Sequence, residues 1–450
     1  MSSPRLLLER MMHRQSIAVP GDSLASYALL KLIPTGEGGP GLPLTLVLCI
    51  DISGSMYWSD GAGKSRLDRV REASTAAVSK LKPTDRVALI AFANGAEVVL
   101  PVTPAAEAAT IAATLDRIDC FNVDQAGTTM NEGLRKAIDV LKSPDEAGRL
   151  HQVVVLTDGE TSGEGECREL AGLAAEQKVS FSVMGVGTEW NTALIKDMAA
   201  RSNGRWYYID ADQSEEAMRV FLAEFDRLAD AGLVNVRLEV RPMKDIKLKR
   251  VRQVAPQIQE LPLTPGDKLL IAQLGTLEQS TPSKYILDLS LPKRPDGKYV
   301  VAQVEVKYEL GDGQVHSTGP IPLEMAYTAV AHGYVNAEVA RHIDEVQIFE
   351  LNNNLQTAII TEKVDDIRKV AQQISRKSTV LGPRGARKTM LAEQILQELD
   401  GAGKVSRKTM LAVDDAVRST DEPVSAVRRI LMTRGDVDDA VRSTDEPVGG

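Results

Sequence analysis

The sequence predicts an α/β protein: a doubly wound, mostly parallel sheet inserted into a β-sandwich and followed by a helical C-terminal region. Three observations carry this. Between residues 43 and 230, short apolar runs alternate with amphipathic helical patterns, as expected of parallel strands covered by helices on both faces. After Gly232 the text changes to strict apolar–polar alternation, in Val234-Asn235-Val236-Arg237-Leu238-Glu239-Val240 and again from Ala302 to Tyr308. That period fits antiparallel strands with one buried face. From residue 328 the spacing turns helical, and no Phe, Trp or Tyr occurs after Phe349.

Residues 1–42 read as strand material, because 25–33 is rich in apolar residues and stops at Pro34 and a Gly/Pro-rich turn. We expect these strands to join the sandwich. In the α/β domain, 43–230, the strands are expected at 44–50, 86–92, 152–156, 180–186 and 206–209. Helices are expected at 66–81, 131–141, 167–177, 192–201 and 214–228, with Asn191 and Ser214 as N-caps of the last two. The sandwich proper is expected over 233–327 and a helical segment over 328–375. The remainder, 376–450, is expected to be a flexible, repeat-bearing tail, since a tract without aromatics has little with which to build a strong core of its own.

Composition excludes several classes. At 450 residues the chain is long enough for two or three domains. Its 43% apolar and 26% charged content is ordinary for a soluble protein. A net charge of -9 argues against nucleic acid as the main partner. Cys49, Cys120 and Cys167 are too few and too scattered for a disulfide framework or a zinc site. Arg5, Glu9 and Arg10 interrupt the first Leu and Met residues, so no signal peptide is expected, and no stretch approaches the length of a membrane span. The expectation is a cytoplasmic protein without membrane contact.

The chemistry concentrates where the first buried strand ends. Leu44 to Ile50 runs into Asp51-Ile52-Ser53-Gly54-Ser55, three oxygen-bearing side chains at alternate positions. Open α/β sheets place their sites at the carboxyl ends of strands, and clustered hard oxygens suit a hard divalent cation. Gly127-Thr128-Thr129 opens a helix, and Val153 to Thr157 is a second buried strand ending in Asp158. Three such segments can converge on one ion.

This pattern resembles the von Willebrand factor A (VWA) domain, in particular the bacterial cytoplasmic type. Its metal-ion-dependent adhesion site (MIDAS) has Asp-x-Ser-x-Ser, then a distant Thr and a distant Asp. Asp51, Ser53, Ser55, Thr128 and Asp158 fit those positions, and Asp85-Arg86-Val87, Leu156 to Gly159 and Gly185-Val186-Gly187 also look like the family. The resemblance covers roughly residues 43–230. It implies that Ser53, Ser55 and Thr128 supply hydroxyl ligands to Mg²⁺ (or Mn²⁺ or Ca²⁺), with Thr129 as an alternative to Thr128. Asp51 and Asp158 then act directly or through waters. Two carboxylates leave the ion electrophilic, so an acidic group of a protein partner fills an open position. The segment from Tyr57 to Lys64 is longer than the tight turn expected there, and Trp58 is either a partner contact or rim packing.

Two phosphate-loop look-alikes fail. Gly61-Ala62-Gly63-Lys64-Ser65 has Trp58 where a first glycine is required, and the run from Gly382 to Thr389 has Arg387 where a second is required. The histidines (His13, His151, His316, His332, His342) are dispersed, and Cys49 lies inside a buried strand. We therefore expect no enzyme. The tail carries direct repeats: Val413 to Val424 recurs verbatim at Val437 to Val448, and Arg387-Lys388-Thr389-Met390-Leu391-Ala392 recurs from Arg407 to Ala412. With the looser copy around Thr379, these place Thr379, Thr389 and Thr409 after basic residues, as a basophilic Ser/Thr kinase requires. Phosphorylation would add about two charges, a handle for a phosphothreonine reader. The expected function is a non-catalytic, metal-dependent binding or scaffold protein. The alternative is a regulatory subunit of an AAA+ ATPase machine, chaperone-like or chelatase-like.

Overall fold

Strands from before and after the α/β stretch build one sandwich. The computed structural model describes residues 5–18, 24–35, 42–59, 63–121, 124–143, 149–209, 214–310, 314–329 and 334–420, with backbone alone at residue 5 and 214–217. The chain opens with β1 (Arg5–Met12), β2 (Ser16–Ala18) and β3 (Leu24–Thr35). It then forms the α/β unit: β4 (Leu44–Asp51), α1 (Arg66–Val78), β5 (Arg86–Ala93), β6 (Gly95–Pro104), α2 (Ala108–Asp116), α3 (Met130–Val140), β7 (Leu150–Thr157), α4 (Glu164–Glu176), β8 (Val179–Val186), α5 (Thr192–Arg201), β9 (Arg205–Ile209) and α6 (Ser214–Ala229). Strands resume with β10 (Ala231–Pro242), β11 (Lys247–Ala255), β12 (Gln259–Leu261), β13 (Leu263–Pro265), β14 (Leu270–Glu278), β15 (Ser283–Leu291), β16 (Gly297–Glu309), β17 (Val315–Ser317) and β18 (Ile321–Thr328). The last elements are α7 (Ala337–Ile360), α8 (Val364–Val380), α9 (Ala386–Ala402) and α10 (Arg407–Arg418).

The α/β sheet has the order β6-β5-β4-β7-β8-β9, with β6 antiparallel to β5 and every other neighbour parallel. Each residue of β4 is buried, because helices cover both faces. The two-residue period sorts its side chains. Leu46, Leu48 and Ile50 pack with Leu67 and Val70 of α1 and Phe221 and Phe225 of α6, while Val47 and Cys49 pack with Leu134 of α3, Ala171 of α4 and Leu194 of α5. Helix starts follow side-chain chemistry. Ser65 and Asp68 form a capping box on α1, and Asn191 caps α5 by accepting from the Ala193 and Leu194 amides. The side chain of Ser214 lies outside the described residues.

In the sandwich, one sheet runs β1-β3-β15-β11-β12 and the other β13-β14-β10-β16-β18-β2, with β17 on β16. β3 pairs with β15 along its length and β2 with β18, so the α/β unit is an insertion. Alternate residues such as Leu30, Leu238, Leu287 and Val304 meet between the sheets.

One expectation is corrected. Residues 376–420 were expected to start a flexible tail, but they continue α8 and form α9 and α10. Ile348, Leu355, Ile374, Leu391, Ile395, Leu399 and Val417 share one buried cluster. The fully buried members of that core are all aliphatic, at helical spacing, with Phe349 packed against them from its edge. The tail also does not stand alone: Leu411 of α10 is 1% exposed and packs into the α/β core. Burying it contributes on the order of 2 kcal/mol. The second repeat copy, 437–448, lies outside the described residues.

Candidate metal centre

Asp51 is the last residue of β4, and the chain leaves the sheet there. The Ile52 amide still donates to the Phe92 carbonyl at 2.9 Å, but the Gly54 amide turns to the Gln125 carbonyl at 3.1 Å. That bond ties the loop after β4 to the loop before α3. Ser55 falls in a short 3₁₀ turn, Gly54–Tyr57, which turns its hydroxyl back toward the carboxyl end of β7.

The side chains form a continuous chain of hydrogen bonds. The Ser53 amide donates to Asp51 Oδ1 at 2.9 Å, and the Thr157 hydroxyl donates to Asp51 Oδ2 at 2.7 Å. The Ser53 and Ser55 hydroxyls are 3.2 Å apart, and Ser55 donates to Asp158 Oδ1 at 2.7 Å. Asp158 Oδ2 receives Arg66 Nη1 at 2.6 Å. Asp51 and Asp158 are both 0% exposed. Burial pushes the Asp51 carboxyl up to about 6; the Ser53 and Thr157 hydrogen bonds act the other way, and the Asp158 charge adds to the rise.

The two hydroxyls after Gly127 are now distinguishable. Thr129 Oγ1 donates to the Ala93 carbonyl at 2.9 Å and accepts from the Gly95 amide at 2.7 Å. It is committed to the β5–β6 turn. Thr128 is held through its carbonyl, which accepts from the Ser162 amide and the Thr161 hydroxyl, both at 3.0 Å. The structure therefore brings Asp51, Ser53, Ser55 and Asp158 into one network and ties the Thr128 backbone to the loop that follows Asp158.

The donor set fits a hard divalent ion. Two buried carboxylates face one guanidinium, which leaves a negative charge to balance, and hydroxyl oxygens stand between them. Among the described residues no group of three His, Cys, Asp or Glu side chains converges, so any ion here rests on hydroxyls as well as carboxylates. Arg66 and Thr157 escaped the sequence reading. Thr157 adjoins Asp158 in the motif, whereas nothing in the text marks Arg66 beyond its place at the first turn of α1. Trp58 is 58% exposed beside the centre, with its ring 5.5 Å from the Arg66 guanidinium carbon.

The tail threonines differ from one another. Thr379 is exposed on α8, and its hydroxyl donates to the Ser375 carbonyl. Thr389 is half-buried. Thr409 is 3% exposed, and its hydroxyl bonds with Glu398, Gln394 and Ser406.

Residues 46–160 match the family model described as the von Willebrand factor type A domain. An uncharacterized protein of Synechocystis, sll0103, is 30% identical over 289 residues, covering 63% of this chain and 66% of that one. YfbK of Escherichia coli is 26% identical over 200 residues, covering 43% of this chain and 33% of that one. The chain thus spans just under two thirds of the first relative and a third of the second. Among solved structures, a von Willebrand factor type A protein from Catenulispora acidiphila superposes with TM-score 0.78 at 17% identity, covering 93% of this chain and 97% of that one. The ArnB paralog VWA2 from Sulfolobus acidocaldarius gives TM-score 0.54 at 13% identity, covering 92% and 98%. At such identities these two show the fold alone.

Proposed function

Because the chain contains a von Willebrand factor type A domain, we propose that the carboxyl ends of β4 and β7 form a metal-dependent docking site, a MIDAS, for a protein partner. The observation that carries this is the pair of fully buried carboxylates linked through Ser53 and Ser55, with Arg66 as the one cation paired with them among the described residues. Ser53, Ser55 and Thr128 would hold Mg²⁺, or Mn²⁺ or Ca²⁺, with Asp51 and Asp158 directly or through waters. A bound ion supplies an electrophilic position for a carboxylate of the partner. The protein's own groups do the rest. Thr157 and the Ser53 amide orient Asp51, and Ser55 orients Asp158. The exposed rings of Tyr57 and Trp58 offer apolar contact area at the rim.

We read the protein as a non-catalytic, cytoplasmic scaffold. Cys49 of β4 sits in the core with its thiol pushed above its ordinary range by burial and by the nearby Asp51, so it is no reactive thiolate. In the C-terminal helices, Thr379 is open to a kinase and to a phosphothreonine reader, whereas Thr409 becomes accessible only if α10 leaves its seat. The test is a pull-down with full-length protein, wild type against Ser53→Ala/Ser55→Ala, in Mg²⁺ or in EDTA. Loss of one protein in both the variant and EDTA supports the reading. Capture indifferent to both refutes it, and recovery of a ring ATPase identifies the partner as an AAA+ machine.

A further inference from the structure

The centre contains a cation of its own. Every carboxylate oxygen in it is already engaged: Asp51 by the Ser53 amide and Thr157, Asp158 by Ser55 and Arg66. Each oxygen keeps a lone pair for an ion, so an incoming divalent ion conflicts with these donors through charge, and among them only Arg66 is a cation. The Ser53 amide is backbone, and Thr157 is 0% exposed. Ser55 is itself a candidate ligand. Arg66 differs from all three. It is a charged side chain with 15% of its surface open to solvent, so it has a way out.

Its seat is defined on three sides. Nη1 meets Asp158 Oδ2 at 2.6 Å. The Trp58 ring lies 5.5 Å from the guanidinium carbon. Gly187, at φ +73°, closes the third side, and a Cβ there would sit 3.3 Å from Nη2. The Arg66 amide also donates to the Trp58 carbonyl at 3.3 Å, so the ring and the arginine belong to one local unit. A fixed positive charge on a metal-binding carboxylate satisfies that carboxylate without the ion and repels the ion when it arrives.

We propose that Arg66 is an internal counter-cation that competes with the divalent ion for Asp158 and sets the affinity of the centre for metal. This rests on the metal reading above. In the metal-free state Arg66 neutralises a carboxylate that would otherwise be buried and unpaired. In the loaded state it gives up Asp158 and moves against Trp58, which makes that ring a built-in reporter.

The experiment is Mn²⁺ binding to the full chain by calorimetry, together with thermal unfolding in EDTA and in Mn²⁺, for wild type, Arg66→Gln, Arg66→Lys and Ser53→Ala/Ser55→Ala. Removing the charge is expected to tighten Mn²⁺ by about tenfold, through relief of the repulsion between the guanidinium and the ion. Arg66→Gln should unfold at a lower temperature than wild type in EDTA and recover most of that loss in Mn²⁺, through mass-action stabilisation of the folded state. A purely structural arginine would lower the transition equally in both. Arg66→Lys, which keeps the charge but not the fork, should fall between the two and carries the same comparison if the glutamine variant does not fold. Quenching or enhancement of Trp58 fluorescence by Mn²⁺, absent in Trp58→Phe, is the expected companion signal. Equal or weaker Mn²⁺ affinity in both Arg66 variants overturns the competition while leaving the metal site standing. No Mn²⁺ binding to any of the four proteins overturns the metal reading itself, and the competition with it.

Discussion

Glu224 lies on α6, 1% exposed, against the inner face of β8 and β9. Its carboxylate accepts from Ser182, from Tyr207 and from both Nε and Nη2 of Arg227, and Arg227 is itself 9% exposed at the side chain. Burial alone would raise the Glu224 carboxyl, but the Arg227 charge and these donors outweigh it and hold the group at about 2. Replacing it by glutamine keeps the shape, removes the negative charge, and leaves a buried guanidinium unpaired. Losing one partner of such a pair costs about 3–5 kcal/mol. Linkage gives a similar figure: a carboxyl lowered from 4.5 to about 2 contributes on the order of 3 kcal/mol at neutral pH. The sign follows from the depressed value. The contribution is complete above the unfolded value of 4.5 and is lost as pH falls toward 2. Urea titrations of wild type and Glu224→Gln across that range should therefore show a stability gap of about 3 kcal/mol at pH 7 that narrows steadily below 4.5. A gap under about 1 kcal/mol at pH 7, or one that stays constant down to pH 3, would refute the reasoning.

Other perturbations test other parts. Leu411→Ala should cost about 3 kcal/mol in urea unfolding followed by tryptophan fluorescence, because Leu411 packs into the cluster that holds Trp190 and Trp206. Gly185→Ala would bring a Cβ to 2.1 Å from Trp190 Cε2, a fully buried ring; we expect a loss of about 3 kcal/mol or insoluble protein, read by expression and thermal unfolding. Thr129→Val should destabilise the β5–β6 turn by about 1–2 kcal/mol and leave Mn²⁺ affinity near wild type, whereas Thr128→Val should do the reverse in calorimetry. Thr409→Asp should destabilise the helical region by more than about 2 kcal/mol, since it puts a carboxylate against Glu398, while Thr379→Asp stays within about 0.5 kcal/mol.

The α/β unit was legible because its strands are continuous apolar runs and its helices are strongly periodic, so burial on both faces is written into the text. The alternating strands were legible for the same reason. β6 was not. Its residues are mostly half-buried, as befits an edge, and it carries prolines at 101 and 104. The Asn94-Gly95 dipeptide between β5 and β6, with Gly95 at φ +119°, is turn chemistry that announces a hairpin, and it was the available signal. The C-terminal helices were misjudged because aromatic content stood in for packing capacity. Aliphatic residues at helical spacing suffice when a bundle also docks on a larger body. At the centre, the oxygen-bearing residues announced themselves by spacing, while Arg66 is set by tertiary placement that spacing does not encode.

One helix has consequences for how the protein is cut. α10 touches all three parts of the molecule. Arg418 stacks on Trp206 at 3.9 Å, and Lys196, itself 5.1 Å from that ring, pairs with Asp414 at 2.6 Å. Asn352 of α7 donates to the same Asp414, and the Ile258 amide of the sandwich donates to the Arg418 carbonyl. A chain shortened at 376, where the repeats begin, would therefore uncover the Leu411 seat in one domain, strand Asn352 in a second and unpair backbone in a third. Loss of a partner by such a truncated protein would report damage to the whole molecule as readily as loss of a motif. Thr420 still belongs to this contact set, since its hydroxyl donates to the Pro256 carbonyl, so a deletion meant to spare these contacts begins after it.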